Sequence, residues 1–285
     1  MCLRYGIAIV CGFLAIGAYG EVETTNTHDA LQWETFSDRI IEFSGYQWRA
    51  KDGGPYGPGN NYFSDSEENV WVDTNGWLHL RITKRDDRWH CPEVALVDPL
   101  GYGDYIFKTV GRIDQLDPNV ILGLFIWEYQ ESYAGAGEAN VANEFDIEFG
   151  RWKDPERENA QYVCQPWQMP GNEHRFEMTL HHEDQKTSHG FLWYPSGIAC
   201  RSWFGHDDQP QDSMIIHNWF YAGKDIPRHS QARVHINLWC IDEPPSDGQE
   251  HEVIIAGFRH VAPAPLRSDD GEEDDGGPVW WPFGR

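Results

Sequence analysis

The amino-acid sequence predicts an all-β chain, and three observations carry that expectation. Strict alternation of apolar and polar residues marks a strand whose two faces meet different surroundings. It runs through Asn143 to Trp152 and again through Arg233 to Cys240. Two more alternating runs, Asn69 to Asp73 and Trp77 to Thr83, flank Asn75-Gly76, a dipeptide favoured in tight hairpin turns. Helical periodicity is scarce across the 285 residues, and no repeat of fixed period is present.

The chain opens on a segment that reads as a secretory leader at 1–20. Arg4 supplies the positive charge, Ile7 to Ala18 the short apolar run, and Ala18-Tyr19-Gly20 a small-residue cleavage site before Glu21. The run is too short and too broken by glycine for a good membrane span, although an uncleaved anchor is the alternative reading. The expected mature protein is therefore secreted and extracellular. It comprises a domain over 21–262, a size common for a single β-sandwich, and a tail over 263–285. The net charge of -24 argues against nucleic acid or an anionic membrane as partner, and makes a neutral polymer a more natural substrate than an anionic one. Cys2 and Cys11 fall in the leader. Cys91, Cys164, Cys200 and Cys240 remain, open either to two disulfides in any of three pairings or to four buried thiols. Their spacing is not that of a zinc site.

Along the domain, Glu21 to Gln32 is polar and loose, and Trp33 to Trp48 holds the first strand with its approach. Lys51 to Asn61 carries four glycines and two prolines and reads as a loop. Trp89 to Val97 reads as one strand, with Cys91, Glu93 and Ala95 on one face and Val94 and Leu96 on the other; Gly101 to Val110 reads as the next. Val120 to Tyr129 is almost wholly apolar and fits a strand buried on both faces. Glu131 to Ala142 is an alanine- and glycine-rich loop, and Lys153 to Glu158 a charged turn. Ala160 to Trp167, Phe176 to His182, Gly190 to Tyr194 and Ile198 to Phe204 read as short strands, with Tyr162, Cys164 and Pro166 sharing one side of the first. Gly205 to Gln211 is an acidic loop, and Met214 to Phe220 fits a strand or a helical turn. Glu250 to Val261 alternates like a closing edge strand. The tail is acid and glycine from Ser268 to Gly277, hence expected to be disordered, and ends on Val279 to Phe283, either a loose end or a docking motif.

The run Asn-Glu-Phe-Asp-Ile-Glu-Phe-Gly-Arg-Trp from 143 to 152 carries the chemistry. Glu144, Asp146 and Glu148 fall on one face of the strand and Phe145, Ile147 and Phe149 on the other. Three like charges in a row cost stability unless a proton is shared or a ligand uses them. Retaining glycoside hydrolysis wants such a pair, with two carboxyls about 5–5.5 Å apart. The same spacing recurs at Asp270, Glu272 and Asp274 in the tail, without the interleaved apolar residues. On the residues alone, a catalytic row and a polar outer strand face both stay open.

Glu-Phe-Asp-Ile-Glu-Phe resembles the Glu-x-Asp-x-Glu signature of glycoside hydrolase family 16. The single residue between Asp146 and Glu148 is similar to the lichenase and xyloglucan-transglycosylase branch. The resemblance extends over roughly Trp48 to Val261: Gly57 to Ser64 and the following hairpin, Tyr102-Gly103-x-Tyr105 ahead of the active site, the strand with Trp127, and Asn237-Leu238-Trp239 late in the domain. Ile106 departs from it, where the family often has a glutamate. The resemblance implies a concanavalin A-like β-jelly-roll sandwich of two antiparallel sheets with a concave substrate cleft. It also implies Glu144 as nucleophile, Asp146 as assisting residue and Glu148 as general acid/base.

Fourteen tryptophans supply candidate sugar platforms, since the apolar face of a pyranose stacks on indole. Trp127, Trp152, Trp167 and Trp239 stand near the catalytic strand, each with an equally good reading as core; Trp152 and Trp239 are preferred. Asn237 and Glu93 join them as polar substrate-binding candidates. His235 shares the polar face of its strand with Asn237 and Trp239, although most of the thirteen histidines read as structural or solvent-facing. The expected protein is a secreted, monomeric, retaining hydrolase of internal β-linkages, with a β-glucan as substrate. A xyloglucan-type transglycosylase and a non-catalytic lectin are the alternatives. No metal or organic cofactor is required for this chemistry; a structural calcium suits the fold, but no calcium-loop motif is visible.

Overall fold

The structure, a computed structural model, describes residues 33–128 and 143–263. The leader, the loop Glu131 to Ala142 and the acidic tail lie outside the described residues. Two large sheets, antiparallel throughout, hold nearly all the strands, as an all-β jelly-roll sandwich requires. The front sheet runs, in spatial order, β1 (Phe36–Phe43), β2 (Tyr46–Lys51), β8 (Glu93–Leu96), β17 (Arg233–Cys240), β10 (Val120–Trp127), β11 (Phe145–Phe149), β12 (Ala160–Cys164) and β13 (Glu173–Phe176). The back sheet runs β16 (Ile215–Tyr221), β15 (Gly197–Phe204), β14 (Lys186–Tyr194), β9 (Gly103–Val110), β18 (His251–Val261), β6 (Leu78–Arg85) and β5 (Val70–Val72), with β7 (Arg88–His90) paired to β6. A separate ribbon pairs β3 (Gly53–Tyr56) with β4 (Asn61–Phe63).

Local chemistry explains the departures from the expected elements. The segment Trp33 to Trp48 is a hairpin, β1 into β2, because Ser44 and Gly45 adopt φ of 54° and 80° and close a two-residue turn. Lys51 to Asn61 is ordered into β3 and the start of β4. Trp89 to Val97 is two strands in different sheets; Pro92 has no N–H to donate, and the chain leaves β6's partner strand there to enter the front sheet. The strand expected at Phe176 to His182 lies earlier, at β13, and ends at Phe176. Met214 to Phe220 is settled as β16 after a single 3-10 turn. β18 is no edge: it lies between β9 and β6, so both its sides are hydrogen-bonded. β9 runs in the back sheet, with the Tyr105 ring in the core.

The core lies between the sheets. Phe145, Ile147 and Phe149 are fully buried, with Phe145 edge-on to Phe191 at 5.0 Å. Each such side chain contributes about 1.5–3 kcal/mol on burial. A one-residue slip of β11 would expose all three and bury the acids. That penalty exceeds what clustering three carboxyls costs, so the apolar face sets the register.

A polar chain crosses the apolar layer. Thr109 and Thr187 hydroxyls meet at 2.6 Å, Thr187 reaches His189 Nε2 at 2.9 Å, His189 Nδ1 reaches Ser202 at 2.8 Å, and Ser202 meets the Tyr162 hydroxyl of the front sheet at 2.8 Å. Burial holds His189 neutral, its pKa lowered to about 3. At the open flank, His174 of β13 and His217 of β16 meet Nε2 to Nε2 at 2.7 Å.

The four cysteines are all buried free thiols, so the expectation of disulfides is corrected. Cys91 and Cys240 approach closest, at 4.0 Å between sulfurs, about twice a disulfide bond. The Cys164 thiol instead bonds the Asp225 carbonyl at 2.8 Å.

Candidate active site

The pairing register lays the outward side chains of the front sheet in transverse rows. One row crosses β8, β17, β10, β11, β12 and β13 as Glu93, Asn237, Gly123, Glu148, Gln161 and Arg175. The next runs Ala95, His235, Phe125, Asp146, Val163 and Glu173. Above these rows lies an open cleft of about 610 Å³. Glu144, Asp146 and Glu148 line its floor, and Phe36, Tyr56, Trp127 and Trp239 contribute to its walls. This volume lies in the usual range for small-molecule and cofactor pockets.

The three acids differ in environment. Asp146 is 3% exposed, whereas Glu144 and Glu148 are half-buried. Burial pushes all three carboxyls up; repulsion within the row adds to it for Glu144 and Asp146, and repulsion from Glu173 for Glu148. Asp146, buried between its two neighbours, is driven furthest; it keeps its proton and donates it to Glu144. That hydrogen bond favours the ionised form of Glu144. Gln165 Nε2 also donates to Asp146, at 2.9 Å. Glu148 is raised to about 6 by burial, against the pull of Gln161, whose amide donates to it at 2.5 Å, and of Arg175. Burial nevertheless leaves Glu144 at about 7, so the row holds two carboxyls that titrate close to neutrality with a proton-holding carboxyl between them, and a single proton shared over the pair leaves one carboxylate and one acid on the same face.

The opposite arm of the cleft is built differently. Glu93 is 3% exposed and ionised. Burial alone would raise it, but Lys51 Nζ at 3.0 Å and His235 at 3.0 Å bring it down to about 2. Lys51 also donates to the Gly57 carbonyl at 2.7 Å and lies 4.4 Å over the Phe63 ring. Gly123 is a gap in the floor: a Cβ there would stand 2.5 Å from Asn237 Oδ1.

Of the residues expected to bind substrate, Trp127, Trp239, Asn237 and Glu93 line this cleft. Trp152 and Trp167 do not. Trp152 is half-buried under two guanidinium groups, Arg175 at 4.3 Å and Arg157 at 5.7 Å from the centre of its ring, and does not line the cleft. Trp167 is 54% exposed, carried away from the floor where β12 ends at the Gln165-Pro166 bond. Sequence reasoning missed Lys51, hidden in a stretch read as loop, and Gln161 and Gln165, whose parity along β12 opposite Tyr162 and Cys164 was the available signal. Asp117, Asp247 and His251 form a cluster of metal-ligating type away from the cleft, but both Asp117 oxygens already accept bonds from Asn119, Ser246 and Asp247.

No protein-family model and no curated protein matches the sequence. Solved structures do match. A β-glucanase of Bacillus licheniformis shares 16% identity, with 78% of this chain and 96% of that chain covered at a TM-score of 0.54. A pseudo β-1,3-glucanase and immunostimulatory antigen of Mycobacterium tuberculosis shares 16%, covering 79% and 98% at 0.55. A glycosyl hydrolase family 16 protein of Mycobacterium smegmatis shares 15%, covering 79% and 96% at 0.50. At such identities the likeness speaks for the fold, not for the chemistry carried on it. The chain has the jelly-roll fold of the glycoside hydrolase family 16 β-glucanases.

Proposed function

We propose that this protein is an exported, retaining glycoside hydrolase that cleaves internal linkages of a neutral β-glucan. The observation that carries the reading is the row Glu144, Asp146 and Glu148 on the floor of an open cleft, with Asp146 holding a proton toward Glu144. Glu144 attacks the anomeric carbon while Glu148 gives its proton to the leaving glycosidic oxygen. Glu148, now a carboxylate, takes a proton from water, and the hydroxide so formed displaces Glu144 with net retention. The proton that Asp146 holds toward Glu144 favours the ionised form needed for attack. A sugar hydroxyl in place of that water would make the same site a transglycosylase. The reading as β-glucanase also draws on the glucanases among the structural neighbours, and the export on the leader read at 1–20.

The test is incubation with lichenan, laminarin, xyloglucan and agarose, followed by a reducing-end assay and repeated with Glu144→Gln. The parent should release reducing ends from at least one neutral β-glucan. The variant should bind glycan and melt like the parent while losing at least about 1,000-fold in turnover. Undiminished hydrolysis by the variant removes Glu144 as nucleophile. A parent that binds glycan without turnover is a lectin on this fold, a reading that the pseudo-glucanase among its neighbours keeps in view.

A further inference from the structure

A glucan cleft needs atoms that read hydroxyl groups as well as atoms that break bonds. The arm away from the acids holds two buried side-chain atoms with nothing to bond: His235 Nε2 and Asn237 Oδ1. Their side chains are 1% and 2% exposed and both line the cleft. Buried polar atoms without partners are few in folded proteins and ask for a reason.

Glu93 decides what those atoms are. Its Oε1 accepts from His235 Nδ1 at 3.0 Å, and its Oε2 accepts from Lys51 at 3.0 Å and from the Asn237 amide nitrogen at 3.5 Å. With the proton committed to Nδ1, a neutral imidazole offers only a lone pair at Nε2. With its nitrogen turned to Glu93, Asn237 offers only its oxygen. Both loose atoms are acceptors. Burial keeps His235 neutral in spite of Glu93 beside it. Its ring is gripped by Phe125, stacked at 5.0 Å, and by the edges of Trp127 at 5.6 Å and Phe36 at 5.8 Å. The bare floor at Gly123 leaves room for Asn237 Oδ1.

We propose that His235 Nε2 and Asn237 Oδ1 form a two-acceptor clamp for hydroxyl groups of a neutral sugar, and that Glu93 and Lys51 act behind it as positioning residues that do not touch the sugar. The proposal rests on the reading of this cleft as a glycan site. It sets a specificity: hydroxyls bring donors to the two acceptors, whereas a sulfate ester brings acceptors to acceptors in front of a buried carboxylate and is rejected. It also changes the part expected of Glu93, whose oxygens are already engaged within the protein.

The test is calorimetric titration of neutral laminari- or cello-oligosaccharides, and of a sulfated oligosaccharide, into the full chain, His235→Asn and His235→Gln. Asparagine keeps a donor near the Nδ1 position for Glu93 and removes the far acceptor; glutamine places an amide oxygen near the lost Nε2. Binding of the neutral sugar should weaken roughly 5- to 10-fold in H235N and stay within about 3-fold in H235Q, as for loss of one hydrogen bond. In turnover, KM should rise with little change in kcat. If H235N does not fold, Asn237→Ser, which withdraws the other acceptor, should show the same loss. Equal neutral-sugar affinity in a folded H235N or N237S, no binding by the parent, or equal affinity for the sulfated sugar overturns the clamp. A parent that binds in this pattern but releases no reducing ends keeps the clamp and overturns the hydrolase; a parent that hydrolyses while H235N keeps its KM does the reverse.

Discussion

Replacing Lys51 with methionine should remove most of the stability that Glu93 supplies, in a way that pH exposes. Methionine keeps the length of the stem and removes only the charge. A carboxyl held at about 2 against an ordinary 4.5 is worth roughly 3 kcal/mol of preference for the ionised form in the folded state. Breaking one partner of a buried pair typically costs about 3–5 kcal/mol, so a loss of about 3 kcal/mol at neutral pH, or roughly 6–12 °C in Tm, is expected. In the parent, the depressed carboxyl contributes stability that is present above its unfolded value and lost as pH falls toward 2. In the variant the pull of Lys51 is gone and burial is opposed by His235, so Glu93 moves back up toward its ordinary value and the pH-dependent stability it supplied shrinks. The gap between parent and variant should therefore narrow from about pH 7 to about pH 4, read from urea midpoints at constant m-value. A gap under about 1 kcal/mol, or one that is the same at both pH values, would refute the account of this arm.

Two further predictions concern the acid row. Burial raises Glu144 and Glu148 to about 7 and about 6, and the two titrate as a pair. kcat/KM should follow a bell with both limbs close to neutrality, the acid limb as the pair takes up its second proton and the alkaline limb as it loses the last one; a rate flat from about pH 5 to about pH 8 contradicts the pairing. Gly123→Ala places a Cβ 2.5 Å from Asn237 Oδ1. It should raise KM roughly 5- to 10-fold by turning the amide, with stability changed by under about 1 kcal/mol; unchanged KM would mean the bare floor has no part in binding.

Much of this was legible in the residues. The alternation around 145–149 and 234–238 set both strands and the side on which each residue stands, because a period of two leaves only two choices. That Glu144, Asp146 and Glu148 share the face turned away from the core follows from that alone; that a cleft lies above this face does not. What sequence missed depends on contacts between distant segments. Lys51 and Glu93 are joined only by the pairing of β2 with β8, and no local pattern announces it. The ends of strands went astray where one residue decided them, at Pro92 and at Ser44-Gly45. β18 looked like an edge because alternation reports two faces but not who pairs on either side. Trp152 and Trp167 were plausible platforms by proximity in the chain; β11 and β12 end before reaching them, and the cleft is reached from the face of the sheet, not from its ends.

The hydroxyl–imidazole chain from Thr109 to Tyr162 bears on how the platform can evolve. Apolar contact between two sheets resists separation, but it is non-directional and tolerates sliding. A hydrogen bond has a preferred length and angle, and so resists shear. The Ser202–Tyr162 link thus works as a dowel between layers, and its front end stands on the strand next to the acid row. With the layers locked in phase from within, the segments bordering the groove can be lengthened, shortened or exchanged for new preferences while the reacting carboxyls stay where they are.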